Sequence, residues 1–400
     1  MRRRPLVFAA ILSVAILVPR LGFPAAALSD PAGNALPPGI QLSFPLLNIL
    51  FAPLFDAWDG VTLLAMPRLQ AFLTGVGALY LVWRTLGGIF GDQFQWGREV
   101  WALAAFVLGT SLFLVAGVRW HRPMAHLADV PPALVVVDLH SHSNVSHDVR
   151  GILQKDFDVA ADQAWHRRGG FDLFFVTDHN RIDGWQRTKG GEGLGGMADE
   201  GPPVACPGEE LSLWGAHIVV LGNLDSVPRD MYADSMPGIL RLLGESESRW
   251  GAVTLASIPE YDENHFASLP AWIVAGVDGF EISNAAPKAN RQTTAHRDSV
   301  VRLAAMNGRW LAGVTDQHGM GATVQSWTLV PRTTAGTHDR AMPALCQDVL
   351  HVLATRGHSA TQVIERHRLR IDSAWPNWAT VVGVAWEGWR AAGWAQVVSW

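Results

Sequence analysis

Hydrophobic and polar positions divide the chain into two regimes. Up to about residue 120 the apolar positions run on without interruption, over Leu6–Val18, Ile40–Phe55, Leu69–Trp83 and Val100–Val118. A bilayer core calls for about 20 apolar residues in a helix. Val100–Val118 comes nearest, with no charge inside it and Arg119, Trp120, His121 and Arg122 behind it. These runs predict a bundle of about four transmembrane helices across residues 1–122. After Pro131 and Pro132 the apolar stretches shorten to strand length. Leu134–Val137, Asp172–Thr177, Ala216–Leu221, Val253–Ser257, Gly279–Ser283 and Trp310–Thr315 read as strands. Phe157–Arg168, Ala289–Met306 and Ala344–Arg356 read as helices between or after them. Strands alternating with helices imply parallel pairing, so residues 131–372 predict an α/β domain. Beyond Pro376, Trp378, Val382, Trp386, Trp389 and Gly393 recur at helical spacing. Residues 373–400 therefore predict an amphipathic helix, whose apolar face suits a membrane interface and a barrel surface equally.

Composition sharpens this division. Of 400 residues, 49% are hydrophobic and only 17% charged, which is apolar for a soluble enzyme. The 18 tryptophans agree, since an indole with one polar N–H suits a membrane interface. Net charge is -5, so no broad nucleic-acid surface is indicated. Cys206 and Cys346 are too few for a disulfide framework, and neither sits in a Cys-x-x-Cys pair. Arg2, Arg3 and Arg4 before Leu6–Val18, with Ala25–Ala27 after it, fit either a secretory signal or an uncleaved first span. The further runs favour the span. Arginines at both ends of an even number of spans place the globular part on the cytoplasmic face of a multi-pass membrane protein. No acidic–histidine relay lies within the runs, so a transporter is not indicated.

The chemistry gathers where strands end. Leu134–Asp148 reads L-V-V-V-D-L-H-S-H-S-N-V-S-H-D, a buried strand leading into a His-x-His pair. Alternation puts Asp138, His140 and His142 on one face. Two imidazoles there offer neutral nitrogens to a metal, with a carboxylate to fix the other ring nitrogen. Asp178-His179, Glu210, His217 and Asp316-x-His318 also fall at or near strand ends. Scattered surface histidines would not follow strand ends, so these positions point to a metal centre. The glycine-rich Arg181–Gly201 reads as a surface loop, because no helix start carrying G-K-[ST] follows it.

Together, D-L-H-S-H-S with S-H-D, F-V-T-D-H-N, P-G-E-E, G-A-H and T-D-Q-H-G resemble the PHP family, named for polymerase and histidinol phosphatase. The likeness covers about Val136–Arg370 and extends to a membrane-anchored branch of metal-dependent phosphoesterases. It implies a distorted (β/α)7 barrel with two or three divalent metals, Zn, Mn or Fe, acting on a phosphorylated substrate. Motif by motif, it implies that His140 and His142 hold one metal with Glu210 and Asp316. Glu210 would bridge to a second metal bound by His217. His179 and His318 would hold a third with His147 or Asp148, and Glu209 would replace Glu210 if the turn is shifted. Asp178, Asp316 and His318 are the implied catalytic residues, Asp178 by orienting a histidine.

Lys288, Arg291 and Arg297 follow Asn284 and are candidates to neutralise substrate phosphate, although solvated helix charges read equally well. One position departs from the family, which has His-Pro where this chain has Ile258-Pro259. Glu260, Asp262 and His265 are the nearby donors. The departure keeps open a degenerate domain serving as a metal-binding sensor or scaffold. An amidohydrolase-like hydrolase is the other alternative, although no barrel-strand lysine marks one.

Overall fold

Val135, Val136 and Val137 form the buried strand that their branched side chains favour, and the sheet grows from it. The computed structural model describes residues 3–23, 28–62, 64–90, 95–149, 151, 153–189, 203–333, 341–366 and 375–400. Its strands are β1 Gln41–Ser43, β2 His126–Ala128, β3 Leu134–Ser141, β4 Leu173–Val176, β5 Val204–Leu213, β6 Ala216–Leu221, β7 Val253–Ala256, β8 Gly279–Asn284, β9 Trp310–Val314, β10 Ser326–Pro331 and β11 Gln362–Glu365. β1 and β2 make a small antiparallel pair. The other nine form one mixed sheet, in the order β11-β10-β3-β4-β5-β6-β7-β8-β9.

This sheet curls into a nearly closed barrel. Asp316 N donates to His140 O at 2.9 Å and His142 N to Gln317 O at 3.0 Å, joining the chain after β9 to β3. Apolar clusters pack inside and under the helices, around Val137, Leu173, Val219 and Leu255 on one side and Leu211, Ile218, Phe280 and Trp272 on another.

The barrel differs from the expected seven parallel β/α units. β6 runs antiparallel to both β5 and β7, and β10 antiparallel to β3 and β11. The cause at β6 is local. Trp214 and Gly215 both take positive φ, 49° and 67°, the backbone of a tight hairpin turn. β5 therefore folds straight back as β6 without a crossover helix. His217 begins β6, so it returns to the end of the barrel where β5 carries Glu210.

The N-terminal region also departs from the expected bundle of four spans. Among the described residues one helix, Trp96–Arg119, is long and apolar enough to cross a membrane. Ile40–Phe55 is not a span. It divides into β1, the helix Leu46–Leu50 and the start of the helix Ala52–Thr62, whose Asp56 is buried and accepts a hydrogen bond from Trp400 Nε1 at 2.9 Å. Of Leu6–Val18, all but Val18 lies in a helix of 15 residues, Arg3–Leu17, shorter than a bilayer core. Leu69–Trp83 lies in Met66–Phe90, a helix of 25 residues interrupted by Arg68 and Arg84. It packs beside Trp96–Arg119 by stacking Tyr80 on Phe106 at 4.2 Å and by pairing Arg84 with Glu99. The alanines of the possible cleavage site, Ala25–Ala27, lie outside the described residues.

The C-terminal segment forms two helices, Thr380–Ala391 and Trp394–Ser399. Their partners are the N-terminal helices: Val384 sits against Gly60 and Val381 against Gly75. The two cysteines form a single disulfide, Cys206–Cys346, tying β5 to the helix Ala344–Thr355.

Candidate metal centre

β3 and the residue just after it bring His140 and His142 to the same side of the barrel end, as a continued two-residue strand period requires. Both are fully buried, and their Nε2 atoms lie 3.0 Å apart. Asp316, reached by the chain after β9, puts Oδ1 3.1 Å from His142 Nε2 and 3.5 Å from His140 Nε2. Asp316 takes a positive φ of 45°, a backbone that the short side chain of aspartate tolerates. Glu210 on β5 brings Oε2 to 3.2 Å from His140 Nε2, 3.3 Å from His142 Nε2 and 3.0 Å from His179 Nδ1. Its Oε1 is 2.6 Å from His217 Nδ1.

A third set surrounds Asp148. Its Oδ2 lies 2.9 Å from His179 Nε2 and 2.8 Å from His318 Nε2. His142, Asp148, His179 and His318 thus form one donor group, His140, His142 and Asp316 a second, and His179, Glu210 and His217 a third. Within each group the donor atoms lie within 4.8 Å of one another.

The fit of this cluster to metal can be judged from its own atoms. Both carboxylate oxygens of Glu210, and Nδ1 of His142, are buried without a well-directed hydrogen bond. Close approach without hydrogen-bond geometry is what donors converging on a common centre give, and buried polar atoms are otherwise almost always satisfied. Imidazole and carboxylate are the donor types for Zn, Mn and Fe.

The electrostatics favour a cation as well. Burial opposes charge on His140, yet Asp316, Glu210 and Glu281 together raise its pKa well above the usual value. Burial would raise Glu210, but His217, His140 and His179 hold it well below the carboxylate range. Burial would also raise Asp148, and hydrogen bonds from His179 and His318 hold it low instead. His142, in contrast, is pushed down to about 4 by burial and by the neighbouring His318 and His179. Among the described residues no lysine or arginine pairs with Glu210, Asp148, Asp316 or Glu281. The nearby positive charge falls on histidines, which a metal would displace as protons leave.

Several expected residues stand elsewhere. His147 is exposed and lies beside the His179 ring, with centroids 4.7 Å apart, outside the three donor groups. Glu209 faces away from Glu210 and accepts from Val227 N at 2.8 Å and Ser226 Oγ at 2.9 Å. Asp178 touches no histidine; it accepts from Ser143 N at 2.7 Å and Ser143 Oγ at 2.8 Å, fixing the turn after His142. Asp138 does not hold the His140 ring: it accepts from His140 N at 3.3 Å, His166 Nε2 at 2.8 Å and Thr315 N at 3.1 Å.

The carboxylate on His140 Nδ1 is Glu281 of β8, at 2.7 Å. Sequence gave it only as a strand residue, although a charged side chain within F-E-I-S already required a buried partner. Arg297 is bound to Glu365 at 2.9 Å. Arg291 is exposed, and the Lys288 side chain lies outside the described residues, as does most of the glycine-rich loop, 190–202.

Ile258 is packed among Leu211, Leu269 and Phe280. In its neighbourhood Tyr261 OH lies 2.8 Å from His217 Nε2, a contact no spacing rule signals. A larger cavity of about 410 Å³ lies at the opposite barrel end, around Leu134, Leu329 and His358. It has no carboxylate in its lining and offers no comparable donor set.

No family model matches the chain. No curated protein matches it. Solved structures are distantly similar. PsfC from Pseudomonas syringae PB-5123 is 19% identical, with 64% of this chain and 96% of that one covered at a TM-score of 0.37. A candidate metal-dependent phosphoesterase from Bifidobacterium adolescentis ATCC 15703 is 15% identical, covering 46% and 88% at 0.34. An amidohydrolase from Chromobacterium violaceum, solved with sulfate and no metal, is 17% identical, covering 55% and 96% at 0.34. Likeness this distant carries no argument about the site, which stands on its own geometry: an α/β barrel with a buried histidine–carboxylate cluster suited to metal.

Proposed function

We propose that the chain is a metal-dependent hydrolase of phosphoesters, holding two or three divalent ions at the mouth of the barrel. One observation carries the reading. Glu210 turns Oε1 to His217 and Oε2 to His140, His142 and His179, so one carboxylate serves two neighbouring positions. His140, His142, Glu210 and Asp316 would hold one ion, and Glu210 and His217 a second. Asp148, His179 and His318 would hold a third. When bound, adjacent ions polarise a phosphoryl oxygen and lower the pKa of bound water from about 15.7 toward 7. Glu281 keeps the His140 ring turned so that Nε2 faces the cluster. Ser143 and Asp178 hold the turn that follows His142. Tyr261 OH sits at the His217 end and can donate to an oxygen arriving there.

An amidohydrolase-like reaction is the second reading. Against it, the three lysines, Lys155, Lys189 and Lys288, all lie off the strands, so none supplies a bridging barrel lysine. A metal-binding sensor or scaffold is the non-enzyme reading. Metal analysis of the purified full-length chain, with phosphoester, amide and lactone panels, separates the three. Bound metal with phosphoester turnover supports the proposal. Amide or lactone turnover alone favours the second reading, and bound metal without any turnover favours the third.

For localisation we infer an anchor formed by Trp96–Arg119, with the barrel in an oxidising compartment. The Cys206–Cys346 disulfide supports that side, since such bonds are rare in the cytosol. Of the arginines that suggested the cytoplasmic face, Arg119 and Arg122 are engaged within the fold. Arg119 donates to Leu153 O at 2.8 Å, and Arg122 binds Asp59 and Gly117 O.

A further inference from the structure

A cavity of about 180 Å³ shares a wall with the candidate metal centre. Asp316 and His318 line it together with Thr62 and Val118 of the N-terminal helices, Gln154, and the small Ala286 and Ala322. Val118 lies in the last turn of Trp96–Arg119, the membrane-length helix. That helix has 24 residues, or about 36 Å at 1.5 Å per residue. Trp96, Trp101, Leu108 and Leu112 are exposed along it, an apolar surface that water does not suit.

Its C-terminal end is fastened to the mouth of the site. Gln154 Nε2 donates to Val118 O at 2.9 Å, and Arg119 Nη1 to Leu153 O at 2.8 Å. A Cβ on Gly321 would meet Gly117 O at 2.3 Å, so the loop after His318 runs directly against the helix. The end of the helix is thereby fixed one cavity's width from Asp316 and His318.

We propose that the substrate is an amphiphilic phosphoester resident in the bilayer, with its phosphate at the histidine–carboxylate cluster and the start of its apolar tail in this cavity. The proposal rests on the hydrolase reading above. At about 30 Å³ for each water-sized group, the cavity takes roughly six such groups. A short soluble phosphoester would leave this apolar wall unused.

The test uses the full-length, metal-loaded protein in lipid nanodiscs and a series of alkyl phosphates from methyl to decyl. Each methylene that enters the cavity should raise kcat/KM about fourfold, until the cavity is full. Ala322→Trp should flatten that rise, which separates filling of the cavity from simple partition into the bilayer. A second readout needs no turnover. In Thr62→Cys, decyl phosphonate should slow alkylation of the new thiol at least tenfold more than methyl phosphonate does. Equal protection by the two phosphonates, or a chain-length rise that Ala322→Trp leaves intact, overturns the lipid assignment. Methyl and decyl phosphate turned over equally would overturn it too, while leaving the hydrolase reading standing. No turnover of any phosphate, with metal content confirmed, would sink the hydrolase reading. The alkylation result then decides the tail cavity alone.

Discussion

Glu281→Gln tests the metal centre at a residue that would not itself touch metal. Glu281 is fully buried, with Oε1 2.7 Å from His140 Nδ1. Its Oε2 accepts from Ser257 Oγ at 2.8 Å and Asn284 Nδ2 at 2.9 Å. Glutamine keeps the shape and has two ways to sit. With its oxygen toward His140, its amide N–H faces Asn284 Nδ2, donor against donor. Asn284 cannot turn to relieve this, because its Oδ1 accepts from Ala286 N at 2.7 Å and its Nδ2 also reaches Asp316 Oδ2 at 3.1 Å. A buried donor left without an acceptor costs about 1–3 kcal/mol. The other orientation points an N–H at Nδ1, which moves the ring proton to Nε2, where the lone pair for metal must be. Partners of this kind change metal affinity about 10- to 100-fold, or about 1.4–2.7 kcal/mol. Competition with a chelator of known affinity should show that loss for Zn and Mn. Thermal melts of the metal-free protein should show the stability cost separately, at about 2–4 °C per kcal/mol. If a folded Glu281→Gln binds metal as tightly as the parent, His140 is not a ligand and the cluster is a hydrogen-bonded one.

Three more outcomes are expected. His140→Ala, His142→Ala and Asp316→Ala should each lose metal and nearly all phosphoester turnover, and the His140→Ala, Asp316→Ala double variant should be little worse, because members of one unit are not additive. Metal content and kcat/KM check this. Asp56 is raised to about 7 by burial and by Asp59, outweighing Trp400, Arg366 and Arg122. The fold therefore disfavours its ionised form, and stability should fall as pH climbs from about 4 to 7, by at most about 4 kcal/mol. Melts of Asp56→Asn across that window should show the variant gaining on the parent with rising pH. Reducing Cys206–Cys346, or replacing both with serine, should cost about 2–5 kcal/mol, seen as a lower melting temperature. A mobility difference on non-reducing gels would establish the bond itself.

Where sequence and structure agree, the reason is local. β3, β4, β6, β7, β8 and β9 were legible because short apolar, β-branched stretches end in polar clusters. The direction of β6 was not legible, because it depends on two residues, Trp214 and Gly215, adopting left-handed backbone. β10 and β11 went unseen, since Ser326–Pro331 and Gln362–Glu365 are short runs that mix polar with apolar residues. Glu281 was visible as a strand residue, but its partner lies 141 residues away. The neighbouring pairs Glu209/Glu210 and His147/Asp148 cannot be told apart by spacing. The strand pleat turns Glu209 to the other face, and the turn after Ser146 leaves His147 exposed while Asp148 reaches His179. The membrane reading failed where length was judged without neighbours. Only part of Ile40–Phe55 packs, with Leu42 against the barrel and Phe55 stacked on Trp58, while Leu46, Leu47, Leu50 and Phe51 are exposed in and just after the short helix Leu46–Leu50.

The donors and the barrel's closure are one feature. β3 and the chain after β9 meet through two backbone hydrogen bonds, Asp316 N to His140 O and His142 N to Gln317 O. The side chains of those same residues supply the His140, His142 and Asp316 group. Behind the seam Asp138 takes Thr315 N and His166 Nε2, and His166 in turn meets Asp162. Burial opposes charge on His166, but Asp162 and Asp138 raise it to about 10, so it stays positive between two carboxylates. This buried chain of contacts ties the residue after β9 to β3 and on to the helix Val159–Gly169 behind them. A metal held by residues from both sides of the seam would add its binding free energy to the closure of the barrel. That binds stability and chemistry together at Asp316. Its backbone closes the ladder, its left-handed φ aims the carboxylate inward, and its side chain faces both histidines of β3. A ligand at a strand end is usually separable from the core beneath it; here the candidate ligand is also the join.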